Sequence, residues 1–275
     1  MTLSNTKLVL TLLSLIFCLV HVRAQNGNED HWEVYLASYD KGVGSTMVNF
    51  SLYDKSPIKK YPFVVVTGVT YTNCSDDGFP KATEFPKLYV VSDSIQACIT
   101  RCTNNINAGS FTYQCQRLDY IYLVDTLLVR KKLEELYTKY FKQYDCYIHI
   151  KNDEKWEAYR SFLYPNEETM EYILNSKVVI KLNEAGDKLD KGRLVEHWAY
   201  FKSTTGRDSF ITYVKSIGFN VLEKKTITGA FPYSLHMART DKVTLDSIDK
   251  ITLDLRRRAK KLNGYYDGWE SVVVK

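Results

Sequence analysis

Metal-ligand spacing is missing from this 275-residue sequence. Its six cysteines contain no Cys-x-x-Cys pair, and its five histidines form neither His-x-x-x-His nor His-Glu-x-x-His. The common zinc patterns are therefore absent, and no metal is expected. Gly42-Val43-Gly44 lacks the third glycine and the following helix of a phosphate-cradling loop, so no nucleotide cofactor is expected either. Beyond the N-terminus no stretch approaches the ~20 apolar residues that span a bilayer. Neither sign of charge dominates, since 37 Lys+Arg against 32 Asp+Glu leaves a net +5. That balance is too mild to argue for nucleic acid. Tyrosine, by contrast, is abundant at 21 residues.

The N-terminus reads as an export signal. Lys7 precedes the mostly apolar run Leu8–Val20, and His21-Val22-Arg23-Ala24 follows. A basic start, a short apolar run and a small residue predict a cleaved signal peptide over 1–24, with Gln25 as the mature N-terminus. Removing Lys7 and Arg23 takes the charge from +5 to +3 (5 − 2). The expected protein is exported, periplasmic or secreted, with no stable membrane insertion after cleavage. Cys18 leaves with the signal; Cys74, Cys98, Cys102, Cys115 and Cys146 remain. An odd number leaves at least one free thiol or an intermolecular bridge, and the pairing is open. Cys98 and Cys102 share a helical face with Ile95, Ile99 and Ile106 and read as small core residues.

Two α+β domains are expected, over 31–175 and 178–275. In the first, His31–Ser38, Met47–Tyr53 and Phe63–Tyr71 read as strands, the last dense in β-branched residues. A helix over about Asp93–Asn105 follows, then strand material over Phe111–Val124, as one long strand or a hairpin. Asp125-Thr126 is expected to cap a helix, Tyr147–Ile150 to be a strand, and Asp153 and Asn166 to start two further helices. In the second domain Val178–Leu182 reads as a strand. From Leu194 the order is strand, helix capped by Asp208, two strands, a long helix from Thr244, and a last strand from Tyr265. That βαββαβ order is the ferredoxin-like pattern, with an antiparallel sheet and both helices on one face.

Gly186-Asp187, Arg193-x-Val195-x-His197-Trp198-x-Tyr200-Phe201, Gly218-Phe219 and Tyr266-Asp267-Gly268-Trp269-Glu270 together resemble the family of the ribonuclease E inhibitor, regulator of ribonuclease activity B. The likeness covers roughly Asp187 to Val274, and the Tyr-Asp-Gly-Trp ending is its most specific part. Trp32, Asp77-Gly78, Trp156-x-x-Tyr159 and Leu163-Tyr164-Pro165 resemble the domain of unknown function 695. The first resemblance implies a bacterial ferredoxin-like domain that works by binding protein. It does not carry over the inhibitor's partner, because that nuclease is intracellular and this chain reads as exported.

The candidate binding residues are Glu196, His197, Trp198, Asp267, Gly268, Trp269 and Glu270. No complete catalytic site is expected: His197 beside a carboxylate is one acid–base pair, with no serine or cysteine nucleophile spaced to join it. The leading reading is a non-enzymatic protein-binding or regulatory module whose partner is a protein. The competing reading is an envelope hydrolase using His197 with a nearby carboxylate. Asp267-Gly268 and Trp269 also suit a purely structural strand start. Arg256-Arg257-Arg258 reads as a solvated helix end that complements the helix dipole.

Overall fold

The computed structural model describes residues 30–275. The expected signal peptide, with Cys18, lies outside the described residues. Strands β1 (Trp32–Tyr39) and β2 (Gly42–Asn49) form a hairpin, and β3 (Phe63–Thr70) is buried over most of its length. The material after Phe111 belongs to a second hairpin, β4 (Asn105–Tyr113) and β5 (Gln116–Leu123). Its turn residues Gln114 and Cys115 both have positive φ, 50° and 59°, as a two-residue hairpin turn requires. With β6 (Asp145–Asn152) these strands make a six-stranded antiparallel sheet in the order β1-β2-β4-β5-β3-β6.

Two helices cover one face of this sheet. Helix α1 spans Phe85–Thr100, eight residues earlier than the sequence suggested, because Pro86 sits harmlessly in its first turn. Helix α2 spans Val129–Tyr140 and does not start on Asp125-Thr126. Asp125 instead accepts hydrogen bonds from the Leu127 amide and the Thr103 hydroxyl. Val65, Val69, Ile121, Leu88, Ile95, Ile99 and Leu133 form the core between sheet and helices, with Cys98 buried in it. On the opposite face Trp156 stacks on Tyr122 at 3.8 Å. Asp153 does nucleate the following turn: its carboxylate accepts from the Glu157 and Ala158 amides and from Tyr122. Cys74 and Cys115 form a disulfide that ties the segment after β3 to the β4–β5 turn. Cys98, Cys102 and Cys146 are free.

The strand expected at Val178–Leu182 is helical. It belongs to α3, Glu167–Glu184, capped by Asn166, whose side chain accepts from the Thr169 amide. A five-residue apolar run does not distinguish strand from helix by itself. What decides it is that no glycine or proline interrupts the chain between Pro165 and Gly186. Glu171, Asn175, Val179 and Leu182 are buried, at spacings of four, four and three. The boundary drawn near Asn175 thus falls inside a continuous helix, and residues 31–275 form one compact unit. Ile173 joins the core of the first sheet, whereas Val179 and Leu182 pack with Val195, Val243 and Ile248 of the second half.

The C-terminal half has the expected ferredoxin-like order. Strand β7 (Arg193–Phe201) leads to α4 (Thr204–Ser216), then β8 (Asn220–Thr226), β9 (Tyr233–Asp241), α5 (Leu245–Lys261) and β10 (Gly264–Ser271). The sheet is antiparallel in the order β10-β7-β9-β8. Helix α4 is capped by Ser203, whose hydroxyl accepts from the Gly206 amide, and Asp208 lies inside it. Phe201, Phe210, Val214, Leu235, Met237, Leu255, Ala259 and Tyr266 fill the space between the sheet and its two helices.

Candidate recognition face

The period-two geometry of a strand sorts the candidate residues into two groups. Along β7, Val195, His197, Ala199 and Phe201 are buried on the helix side, while Leu194, Glu196, Trp198 and Tyr200 alternate onto the other side. No helix among the described residues packs on that other side: the contacts of α4 and α5 are made by the core-facing residues. His197 and Trp198 are neighbours in sequence and lie on opposite faces of the sheet.

His197 is fully buried. Its Nδ1 lies 2.8 Å from the Tyr266 hydroxyl, its ring meets Phe219 edge-on at 5.3 Å, and its Nε2 has no hydrogen-bond partner. Burial, with a smaller contribution from the Arg239 charge, pushes its pKa down to about 3. The ring is neutral at any ordinary pH, and no carboxylate hydrogen-bonds it. Glu270 pairs in register with Glu196, not with His197, so the acid–base pair of the hydrolase reading is not formed. The imidazole touches no solvent, which removes that reading's only candidate base.

Trp269 sits opposite His197 in the β10–β7 register, on the core side. Its indole N–H donates to Asn175 Oδ1 at 2.7 Å, and Asn175 Nδ2 donates to Asp249 and Thr252, both at 2.8 Å. Trp269 therefore anchors β10 to α3 and α5. Two further motif residues clamp the same end of the domain. Asp187 and Arg193 form a buried ion pair, Asp187 also accepts from the Val274 amide at 2.6 Å, and Arg193 donates to the Lys188 carbonyl at 2.6 Å.

The open side carries the remaining candidates. Trp198 stacks on His236 of β9, at 4.6 Å between centroids and 11° between planes. Tyr200 stacks on Tyr265 of β10 at 5.1 Å, and Phe231 meets Tyr265 edge-on at 4.9 Å. His236 Nε2 is 2.6 Å from Glu196 Oε2. The β10 register slips between Tyr266 and Gly268. Asp267 and Gly268 thus both oppose Trp198, as in a β-bulge. Gly268 has φ +151°, and a Cβ there would meet nothing within 4 Å. The bulge leaves open space over Gly268, which pairs with Trp198 and lies between Asp267 and Glu270 along β10. Tyr200, Tyr265, Phe231 and His236 were not among the residues chosen from the sequence. The alternation of β7 was a readable signal for Tyr200; the other three depend on strand order.

The basic run of α5 is not a free patch. Arg256 pairs with the buried Glu171, Arg257 with Glu168 and Lys260 with Glu167, all on α3. Arg258 lies over the Tyr213 ring at 4.9 Å. Its charge is spent on holding the two helices together. Among the described residues no group of three or more His, Cys, Asp or Glu side chains is placed to hold a metal.

Residues 30–164 match a family of unknown function, DUF695, and residues 173–271 match Regulator of ribonuclease activity B. These are the two segments in which the sequence motifs lie. No curated protein matches the chain. Among solved structures, an unknown protein from Galdieria sulphuraria is 11% identical over 77% of this chain and 99% of its own, with a TM-score of 0.21. A putative glycine cleavage system transcriptional repressor is 11% identical over 76% and 98%, with a TM-score of 0.23. Likenesses at that level carry no argument about this chain.

Proposed function

We propose that this chain, which joins a domain of the DUF695 family to one of the Regulator of ribonuclease activity B family, is an exported, non-enzymatic module that regulates by binding protein. The observation that carries the reading is the uncovered face of the C-terminal sheet. Tyr200 and Phe231 both pack on Tyr265, and Trp198 stacks on His236 beside them, with no helix over any of these rings. Tyr265 is exposed and Trp198, Tyr200 and Phe231 are half-buried, and aromatic residues presented together on a rigid element are the usual anchors of protein interfaces. The second domain's family is named for a regulatory role, which agrees with binding rather than turnover. Its named target is not proposed for this chain, because export separates the two. Export rests on the apolar run Leu8–Val20 before Ala24. It is supported by the Cys74–Cys115 disulfide, a bond that persists in oxidising compartments.

The test is affinity capture from the envelope and secreted fractions with the full chain and with Trp198→Ala. A protein retained by the first and lost by the second, with unchanged thermal stability, is the expected result. Equal retention by both counts against the face. Fractionation with N-terminal sequencing checks export, and Gln25 is the expected first residue.

A further inference from the structure

The open face carries a charge arrangement that its own fold does not satisfy. Glu196 and Glu270 stand directly opposite each other on β7 and β10. Like charges at such positions destabilise a sheet. Glu196 has His236 as a neighbour, but Asp267 and Glu270 have no ion pair or side-chain hydrogen bond among the described residues. The basic side chains on this side lie elsewhere: Lys225 is held by Glu223 on β8 at 2.8 Å, and Lys202 lies over Phe231 at 5.1 Å. Gly268, which pairs with Trp198, contributes no side chain, and a Cβ there would meet nothing within 4 Å. Trp198 thus shares its face with Glu196 on its own strand and with Asp267 and Glu270 on the neighbouring one, while His236 covers one face of its ring, a setting in which a cation gains ion pairing beside an aromatic ring. Local rules broken without compensation inside the fold mark places where function takes precedence.

We infer that this cradle receives a lysine or arginine side chain from an extended segment of the protein partner, so that the partner's docking segment is basic. The inference rests on the reading of the face as a protein-binding surface. Charge complementarity selects the occupant: Glu196, Asp267 and Glu270 repel nucleic acid and acidic polypeptides and attract cationic ones.

The experiment uses the full chain with 15-residue peptides in three matched sets, rich in Lys/Arg, rich in Asp/Glu, or uncharged, together with a single-stranded RNA 20-mer. Binding to the basic set is expected, weakened by Trp198→Ala. Removing one exposed ion pair by Glu270→Gln is expected to weaken it about two- to fivefold. Glu270→Lys places a cation in the cradle and should abolish binding. It should also raise the melting temperature by about 1–3 °C, because it turns a like-charge pair into an attractive one. That combination separates a binding role from a structural one, which would lose stability on substitution.

If uncharged or acidic peptides bind in a manner sensitive to Trp198→Ala, the cationic partner is refuted while the protein-binding reading stands. If no peptide set is sensitive to Trp198→Ala, both fail. RNA binding lost in Trp198→Ala, or a basic set indifferent to Glu270→Lys, also overturns the inference.

Discussion

His197 sits in the core as a neutral ring, and its titration should be visible as a pH-dependent loss of stability. The unfolded histidine takes up a proton near its ordinary value of 6.5, and the folded one only near 3. Between those values the unfolded state binds the extra proton. Stability from this group is complete above pH 6.5 and falls as the pH falls, by about 1.4 kcal/mol per pH unit. From pH 7 to pH 5 the loss amounts to about 2 kcal/mol. Asp119 opposes it. Burial raises its pKa from 3.8 to about 6, against the pull of the Arg117 charge. The folded state therefore keeps a proton there that the unfolded chain has released, and this contribution is lost as the pH rises through about 6. The two contributions largely cancel in the wild type between pH 4 and 6, so a flat profile alone proves nothing. His197→Gln keeps a partner for the Tyr266 hydroxyl and removes one of the two. Urea denaturation of both proteins, followed by tryptophan fluorescence, isolates it. The stability of the wild type relative to the variant should decline by about 2 kcal/mol between pH 7 and pH 5. A difference independent of pH would mean that His197 titrates freely in water, which would refute the buried assignment and reopen the acid–base reading.

Three further outcomes follow from the same contacts. Arg256→Ala strands the nearly buried Glu171 and should cost about 3–5 kcal/mol, whereas Arg257→Ala, from an exposed pair, should leave the urea midpoint nearly unchanged. Cys74→Ser opens a loop closed across 41 residues, and chain entropy puts the loss at about 4 kcal/mol, seen as a lower melting temperature that reductant does not lower further. Gly268→Ala forces a side chain onto φ +151° and should cost about 1–3 kcal/mol by the same urea assay.

The ferredoxin-like half was legible because each element carried its own signal: a strand over Leu194–Lys202, a helix read from Asp208 to Gly218 and so begun too late, and a charged amphipathic helix ending at Asn263-Gly264. Helix α3 was not, because Val178-Val179-Ile180 is β-branched and only its packing against two different cores makes it helical. The pairing of Cys74 with Cys115 depends on the β3–β5 register, which no local pattern encodes. The candidate residues were found in the right strands but grouped by sequence proximity. Period-two alternation already divides Glu196 and Trp198 from His197. The bulge at Asp267-Gly268, by contrast, arises only when β10 pairs with β7, and it sets the open space of Gly268 opposite Trp198.

The division of the C-terminal sheet by face is also a division of labour between binding and stability. The direct measurement compares Trp198→Ala and Trp269→Phe for urea midpoint and for retention of the captured protein. Trp198→Ala should lose the partner at nearly unchanged stability. Trp269→Phe should keep the partner while losing about 1–3 kcal/mol, because Asn175 Oδ1 is left without its donor. The reverse pattern, with binding lost in Trp269→Phe at full stability and kept in Trp198→Ala, would assign recognition to the core face instead.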